Sequence, residues 1–193
     1  PQDDLLLVFE GTDDEILLRG QFNLASGKGV ESVEFSDGTT WDRATLTAAI
    51  TASGTGDDDV IEGSSGAEVI DGLAGDDLLR GRDGSDTYVY RAGDGRDVIE
   101  DDGNRDTDVV QLIGIRPADV QLSRKLGDEN ALVLDFPTPG DRLTILNTLS
   151  DSISDEIEEL RFDDGTVWTM TDVRAALLTA QSTDGDDTIR GFN

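Results

Sequence analysis

Between residues 54 and 111 polar turns and short apolar runs alternate at a near-constant spacing. Written in nines, the stretch reads GTGDDDVIE (54–62), GSSGAEVID (63–71), GLAGDDLLR (72–80), GRDGSDTYV (81–89), AGDGRDVIE (92–100) and GNRDTDVVQ (103–111), with two-residue breaks after 89 and 100. Position one is Gly in five of the six copies. Position eight is apolar throughout: Ile61, Ile70, Leu79, Tyr88, Ile99 and Val110. Gly and Asp at the start of each nine favour a turn. The Val, Ile and Leu at its end favour a short strand. A turn and a strand repeated at fixed period predict a solenoid with strands on two opposite faces and two nines per coil. Position eight then points inward to a thin core. Position seven (Val60, Val69, Leu78, Val98, Val109) points outward, where flanking segments are expected to cover part of both sheets.

Position six adds chemistry to this frame. It is Asp59, Glu68, Asp77, Asp86, Asp97 and Asp108, an acid in every copy. Two nines per coil bring Asp59 over Asp77 and Asp77 over Asp97 on one edge. Glu68 lies over Asp86 and Asp86 over Asp108 on the other. Stacked carboxylates repel one another unless a cation lies between them. Oxygen-only ligands, with carbonyls exposed by Gly-rich turns, describe a hard-cation site of the calcium type. Asp58 and Asp76 at position five, and the turn residues Gly72, Ala74, Gly81 and Asp83, complete the candidate ligand set. Glu68 is one methylene longer than Asp and is expected to form the weakest site.

The nines resemble G-G-x-G-x-D-x-U-x, the nonapeptide of the repeats-in-toxin (haemolysin-type) calcium-binding proteins, over about a third of the chain. Asp57 and Asp106 replace Gly at position four, and Glu68 replaces Asp at position six. The resemblance implies a calcium-bound parallel β-roll. It also implies a secreted bacterial protein, toxin or adhesin, exported by a one-step (type I) system and folding outside the cell.

A longer period surrounds the roll. Shifted by 127, residues 5–52 lie over 132–179 without a gap: Leu5, Leu7 and Phe9 fall on Leu132, Leu134 and Phe136, and Phe35-Ser36-Asp37-Gly38-Thr39 leads to Trp41 as Phe162 leads to Trp168. DDTIRG at 186–191 then matches DDVIEG at 58–63. The apolar pattern predicts a hairpin over 5–19, strands near 109–113, 120–124, 131–136, 142–146 and 157–162, and short helices over 43–52 and from Thr169 to Ala180. DTYVYRAGDGRDVIED (86–101), IRPADVQLSR (115–124) and IEELRFDDGTVWTMTDV (157–173) resemble the calcium-binding-related domain that often follows such repeats. The expected fold is all-β: a central β-roll, 54–111, flanked by β-rich modules that each end in a short helix. Residues 1–53 are read as the C-terminal part of one module, 112–180 as a complete capping module, and 181–193 as the start of a further repeat. Trp41 and Trp168 recur with the apolar frame and read as packing residues.

The 193 residues carry 43 acids against 15 bases, a net charge of −28, which excludes nucleic acid and anionic membrane surfaces as partners. A solvated acidic surface is the plain alternative; the regular placement of the acids favours calcium. There is no Cys and no His, so disulfides, His-ligated zinc and His-based catalysis are absent. Asp57-Asp58-Asp59 lacks the spacing and flanking helices of an EF-hand, and Gly27-Lys28-Gly29 is no phosphate loop. No catalytic residue is assigned. No transmembrane run or signal peptide is legible, and a start at Pro1 suggests a piece of a longer protein. The expected role is calcium-dependent folding and scaffolding, with neighbouring repeat units as partners. The alternatives are an acidic adhesion or interaction module with a cell-surface or matrix target, and an accessory domain of a secreted hydrolase.

Overall fold

The computed structural model describes residues 5–8, 15–19, 30–42, 51–101, 107–150 and 157–180. Its strands, in chain order, are β1 (Leu5–Val8), β2 (Glu15–Leu18), β3 (Ser32–Glu34), β4 (Thr40–Asp42), β5 (Thr51–Ser53), β6 (Val60–Glu62), β7 (Val69–Asp71), β8 (Leu78–Arg80), β9 (Thr87–Arg91), β10 (Arg96–Ile99), β11 (Val109–Ile113), β12 (Gln121–Lys125), β13 (Asp128–Asp135), β14 (Arg142–Ile145), β15 (Glu159–Phe162) and β16 (Val167–Thr169). One helix, α1 (Met170–Ala180), closes the described chain.

The nonapeptides form a parallel β-roll, as their period requires. Strands of alternate nines stack into two sheets, one ordered β12-β13-β14-β10-β8-β6 and the other β16-β15-β11-β9-β7-β5. Position eight supplies the inner ladder: Ile61 pairs with Leu79 and Leu79 with Ile99 in one sheet, Ile70 with Tyr88 and Tyr88 with Val110 in the other. Ile70, Leu79, Tyr88, Ile99 and Val110 are all buried in one core. Position seven points outward, from Val60 at 64% exposed at the N-terminal end to Val109 at 4% beside the next segment.

The sheets do not end with the repeats. β14 pairs in parallel with β10, and β15 in parallel with β11, so both sheets run on into residues 142–162. Antiparallel β12-β13 and β16 then finish them. Met170, Val173 and Leu177 of α1 pack with Leu132, Leu134, Leu160 and Phe162 in the same core as the roll residues. The helix thus covers the end of the solenoid, where an open coil would expose its core and strand edges. Its start is fixed by reciprocal bonds: the Thr169 hydroxyl and N–H donate to Asp172 Oδ2, at 2.6 and 2.9 Å, and the Asp172 N–H donates back to Thr169 Oγ1 at 3.3 Å.

The expected helix over 43–52 is corrected at its end: residues 51–53 form β5, because Ala52 takes the inward slot beside Ile70. Residues 43–50, the hairpin turn at Gly11–Asp14 and the DDTIRG segment lie outside the described residues.

Candidate metal centre

The roll places its position-six acids in two columns at the turns. Each backbone N–H there donates to the carboxylate of the coil above. Asp59 donates to Asp77 Oδ1 (2.8 Å), Asp77 to Asp97 Oδ1 (3.2 Å), Glu68 to Asp86 Oδ1 (2.8 Å) and Asp86 to Asp108 Oδ1 (2.8 Å). All four expected pairs are therefore neighbours. The second column gains a member that the nines did not show: the Asp108 N–H donates to Glu158 Oε2 at 2.7 Å. Glu158 stands outside the repeat, and only its parallel pairing register reveals its slot. Asp58 and Asp76 form an exposed outer row whose bonds run the other way, to the coil below, with Asp76 N–H on Asp58 Oδ1 and Arg96 N–H on Asp76 Oδ1. Of the turn residues, Gly72 and Gly81 are buried under the carboxylates, whereas Ala74 and Asp83 are exposed.

Glycine at position one follows from this crowding. A Cβ on Gly72 would collide with Asp77 Oδ2, and one on Gly81 with Asp86 Oδ2 and the Tyr88 hydroxyl. Each turn thus keeps a side-chain-free cradle beside one carboxylate oxygen.

The turns are of two kinds. In the first two nines the second residue supplies the missing partner: Thr55 donates its N–H (2.6 Å) and hydroxyl (2.8 Å) to Asp59 Oδ2, and Ser64 donates its N–H to Glu68 Oε2 (2.9 Å) and its hydroxyl to Oε1. In the third and fourth nines that residue is Leu73 or Arg82, in the left-handed region at φ 66° and 72°. This conformation costs an L-residue roughly 1–2 kcal/mol. Asp77 Oδ2, Asp86 Oδ2 and Asp97 Oδ2 are buried with no hydrogen-bond partner.

Burial without partners alters ionisation. Asp86 and Asp97 are each pushed up to about 8, first by desolvation, with repulsion from stacked acids adding to it; backbone N–H bonds from Glu68 and Asp77 oppose the shift. Asp77 is raised for the same first reason. Orphaned, buried, all-oxygen groups with a strained turn beside them suit a hard divalent cation, so the residues fit calcium. Bound there, calcium supplies positive charge between carboxylates that otherwise repel.

Comparison with known families agrees with this geometry. The RTX calcium-binding nonapeptide repeat (four copies) matches residues 53–88. The haemolysin-type calcium-binding protein related domain matches twice, over 4–45 and 132–172. Among curated proteins none matches the chain. No helix among the described residues is long and apolar enough to cross a membrane. The chain thus carries calcium-binding RTX nonapeptide repeats, folded as a parallel β-roll, together with two matches to the haemolysin-type calcium-binding protein related domain.

Proposed function

We propose that this chain is a calcium-dependent folding and scaffold region of a secreted bacterial protein. The observation that carries the reading is the set of three orphaned carboxylate oxygens, on Asp77, Asp86 and Asp97, at turns whose outer coils close themselves with Thr55 and Ser64. Ordering a residue's backbone costs on the order of 1–2 kcal/mol, and the roll buries little more than one apolar side chain per nine residues. Desolvating several like charges adds to that cost. Neutralising the two columns removes the largest unfavourable contribution, so folding waits for calcium. Sites of this kind in extracellular modules bind at roughly 10⁻⁴ to 10⁻³ M, which keeps the roll unfolded at cytosolic calcium and folded outside.

In this reading Asp77 and Asp97 hold calcium on one edge and Asp86 and Asp108 on the other. Asp59 and Glu68 serve the outermost coil and bind more weakly. Residues 112–180 act as the cap: β14 and β15 give the roll edges partners, and α1 shields the core. No reaction is assigned to the chain. Circular dichroism during a calcium titration tests both parts. Residues 1–193 should gain strand signal at millimolar calcium, and residues 1–111 should need far more or fail to fold. An unchanged spectrum on chelation removes the calcium reading; equal midpoints for the two chains remove the capping reading.

A further inference from the structure

Asp101 lies outside every nonapeptide, yet the structure seats it in a glycine slot. Val60 pairs with Leu78 and Glu62 with Arg80, so Gly81 follows Gly63 in the column. One coil later Leu78 pairs with Val98 and Leu79 with Ile99, and the Glu100 N–H donates to the Leu79 carbonyl at 2.9 Å. Asp101 therefore follows Glu100 as Gly81 follows Arg80. The repeat keeps this slot free of a side chain, and here it holds a carboxylate. Asp108, the next position-six acid, comes seven positions after it, whereas Asp86 comes five after Gly81.

The carboxylate points into the stack. Asp86, Asp101 and Asp108 each offer an oxygen within 4.8 Å of the others, the one such trio of acids among the described residues, and they are 0%, 3% and 3% exposed. Tyr88 orients the group. It stands at position eight, where the other copies have Ile, Leu or Val, and its hydroxyl reaches across the core to the start of its own turn, beside the end of β8. There the hydroxyl accepts the Gly81 N–H at 2.7 Å and donates to Asp101 Oδ2 at 2.6 Å. In the coil below, the matching Gly63 N–H goes to the Arg80 carbonyl instead. Independently of the trio, Asp86 Oδ2 is fully buried and has no partner, and it and the Tyr88 hydroxyl both border the space that a Cβ on Gly81 would fill. A buried anionic oxygen is not left in that state without a counter-charge.

We propose that Asp101 joins Asp86 and Asp108, making this one site of the second edge a three-carboxylate cation site where the other sites of the roll have two acids, with Tyr88 as its positioning residue. It rests on the calcium reading above. Hard-cation affinity rises with ligand charge, so this site fills before the others, at about tenfold lower free calcium. It lies at the last coil of the roll, beside β11, whose parallel partner is the capping strand β15.

The test is equilibrium dialysis of the full chain against calcium, with terbium as a second probe. The wild type should show one site filling about tenfold below the rest. Asp101→Asn, which keeps an acceptor for Tyr88, and Asp101→Gly, which restores the repeat residue, should both abolish that early step and leave later ones. The first equivalent of terbium should emit strongly when excited through tyrosine, and Tyr88→Phe should remove most of that emission. This arm decides the matter if an Asp101 variant fails to fold. Dialysis curves identical to wild type in both Asp101 variants, or a first terbium equivalent silent to tyrosine excitation, overturns the site. A chain that binds calcium and folds with it while these outcomes fail loses only this inference. A chain that binds none loses the function reading as well.

Discussion

The hairpins described within residues 5–42 and 132–169 are the same pieces of structure in two settings. They share a register to the residue. Leu5 pairs with Leu18 as Leu132 pairs with Ile145, and Val33 with Trp41 as Leu160 with Trp168. The aromatic contacts also match: Phe35–Trp41 at 4.9 Å and Phe162–Trp168 at 4.8 Å, both edge-to-face at 68°. Asp37 and Asp164 each accept the N–H two residues on at 2.8 Å, which fixes the Asp-Gly-Thr turn. The difference is what lies alongside. In the later copy β14 and β15 pair with the roll; in the earlier copy each hairpin is a two-stranded sheet among the described residues. Ile16 and Leu17 are 47% exposed, whereas their counterparts Leu143 and Thr144 are 0% and 8% exposed. Local sequence therefore sets the hairpin, and the roll sets its burial. A two-stranded hairpin alone is marginal in water, so the roll also sets its stability.

Removing the roll should erase the difference, and this is the largest expected effect. Chelation should release the amides of β14 and β15 to exchange at rates near those of β2 and β3, because their parallel partners β10 and β11 no longer form. Hydrogen exchange with mass-spectrometric readout follows both copies in one sample. Persisting protection of Leu143 and Leu160 in chelator would mean that the later module is stable without the roll.

Matched core truncations come next. Leu160 is fully buried between β11 and β16, while its counterpart Val33 is half-buried. With calcium saturating, Leu160→Ala should cost about 3 kcal/mol, whereas Val33→Ala leaves little cavity and should cost under about 1 kcal/mol. Thermal melts of the two variants measure the contrast, and equal costs would mean that the earlier copy is packed as tightly as the later one.

Much of this was legible in the residues. The nine-residue period gave the parallel roll, its inward ladder and the four acid pairs, because turn and strand preferences repeat with the same phase. The shift of 127 gave the two hairpins, because the apolar pattern of each is local. Which strands of the capping module carry the sheets on, β14 and β15, was not legible: Arg96 pairs with Arg142 and Val110 with Leu160 across some fifty residues that carry no period. Asp101 was hidden for a related reason. Counting in nines puts it in a gap, whereas counting by paired strands puts it over Gly81. The split between self-closed and open turns depends on Thr55 and Ser64 against Leu73 and Arg82, a backbone difference that the motif leaves unspecified at position two.

Acidity should sharpen the comparison, since the abnormal carboxyls belong to the roll. Asp86 and Asp97 titrate at about 8 when folded, above the ordinary 3.8. A raised folded-state value means stability fully present below about 3.8 and lost as pH rises through about 8. Chelated chain should therefore gain strand signal between pH about 8 and about 5, while the calcium needed for folding rises as protons compete for the same oxygens. Asp37 and Asp164 behave oppositely and alike: Thr39 and Thr166 N–H bonds hold both below 3.8, so their contribution is present at neutral pH and lost only in strong acid. Circular dichroism at fixed chelator over this range reads the sign. Loss of strand on mild acidification would show that protonating the columns does not relieve them.

The smallest effect lies where two residue types are exchanged between the copies. Thr169 caps α1 with Asp172, and the residues at the matching positions of the earlier copy are Asp42 and Thr45, the same two types in reverse order. Thr169→Ala removes the hydroxyl that accepts the Asp172 N–H, and should cost about 1 kcal/mol. For a chain of this size that is a fall of about 2–4 °C in melting temperature at saturating calcium. Thr169→Asp restores an acceptor for that N–H, but it loses the hydroxyl that donates to Asp172 and sets two carboxylates side by side. It should fall between Thr and Ala, and added salt should bring it closer to Thr by screening the repulsion. Thr169→Asp,Asp172→Thr writes the earlier copy's pair into the later site. Thr at that third position again offers a hydroxyl donor to the new carboxylate, so the double variant should melt within a degree or so of wild type. Differential scanning calorimetry of the three variants resolves the series. A double variant no better than Thr169→Asp alone would mean that Asp followed by Thr cannot replace Thr followed by Asp at the start of α1.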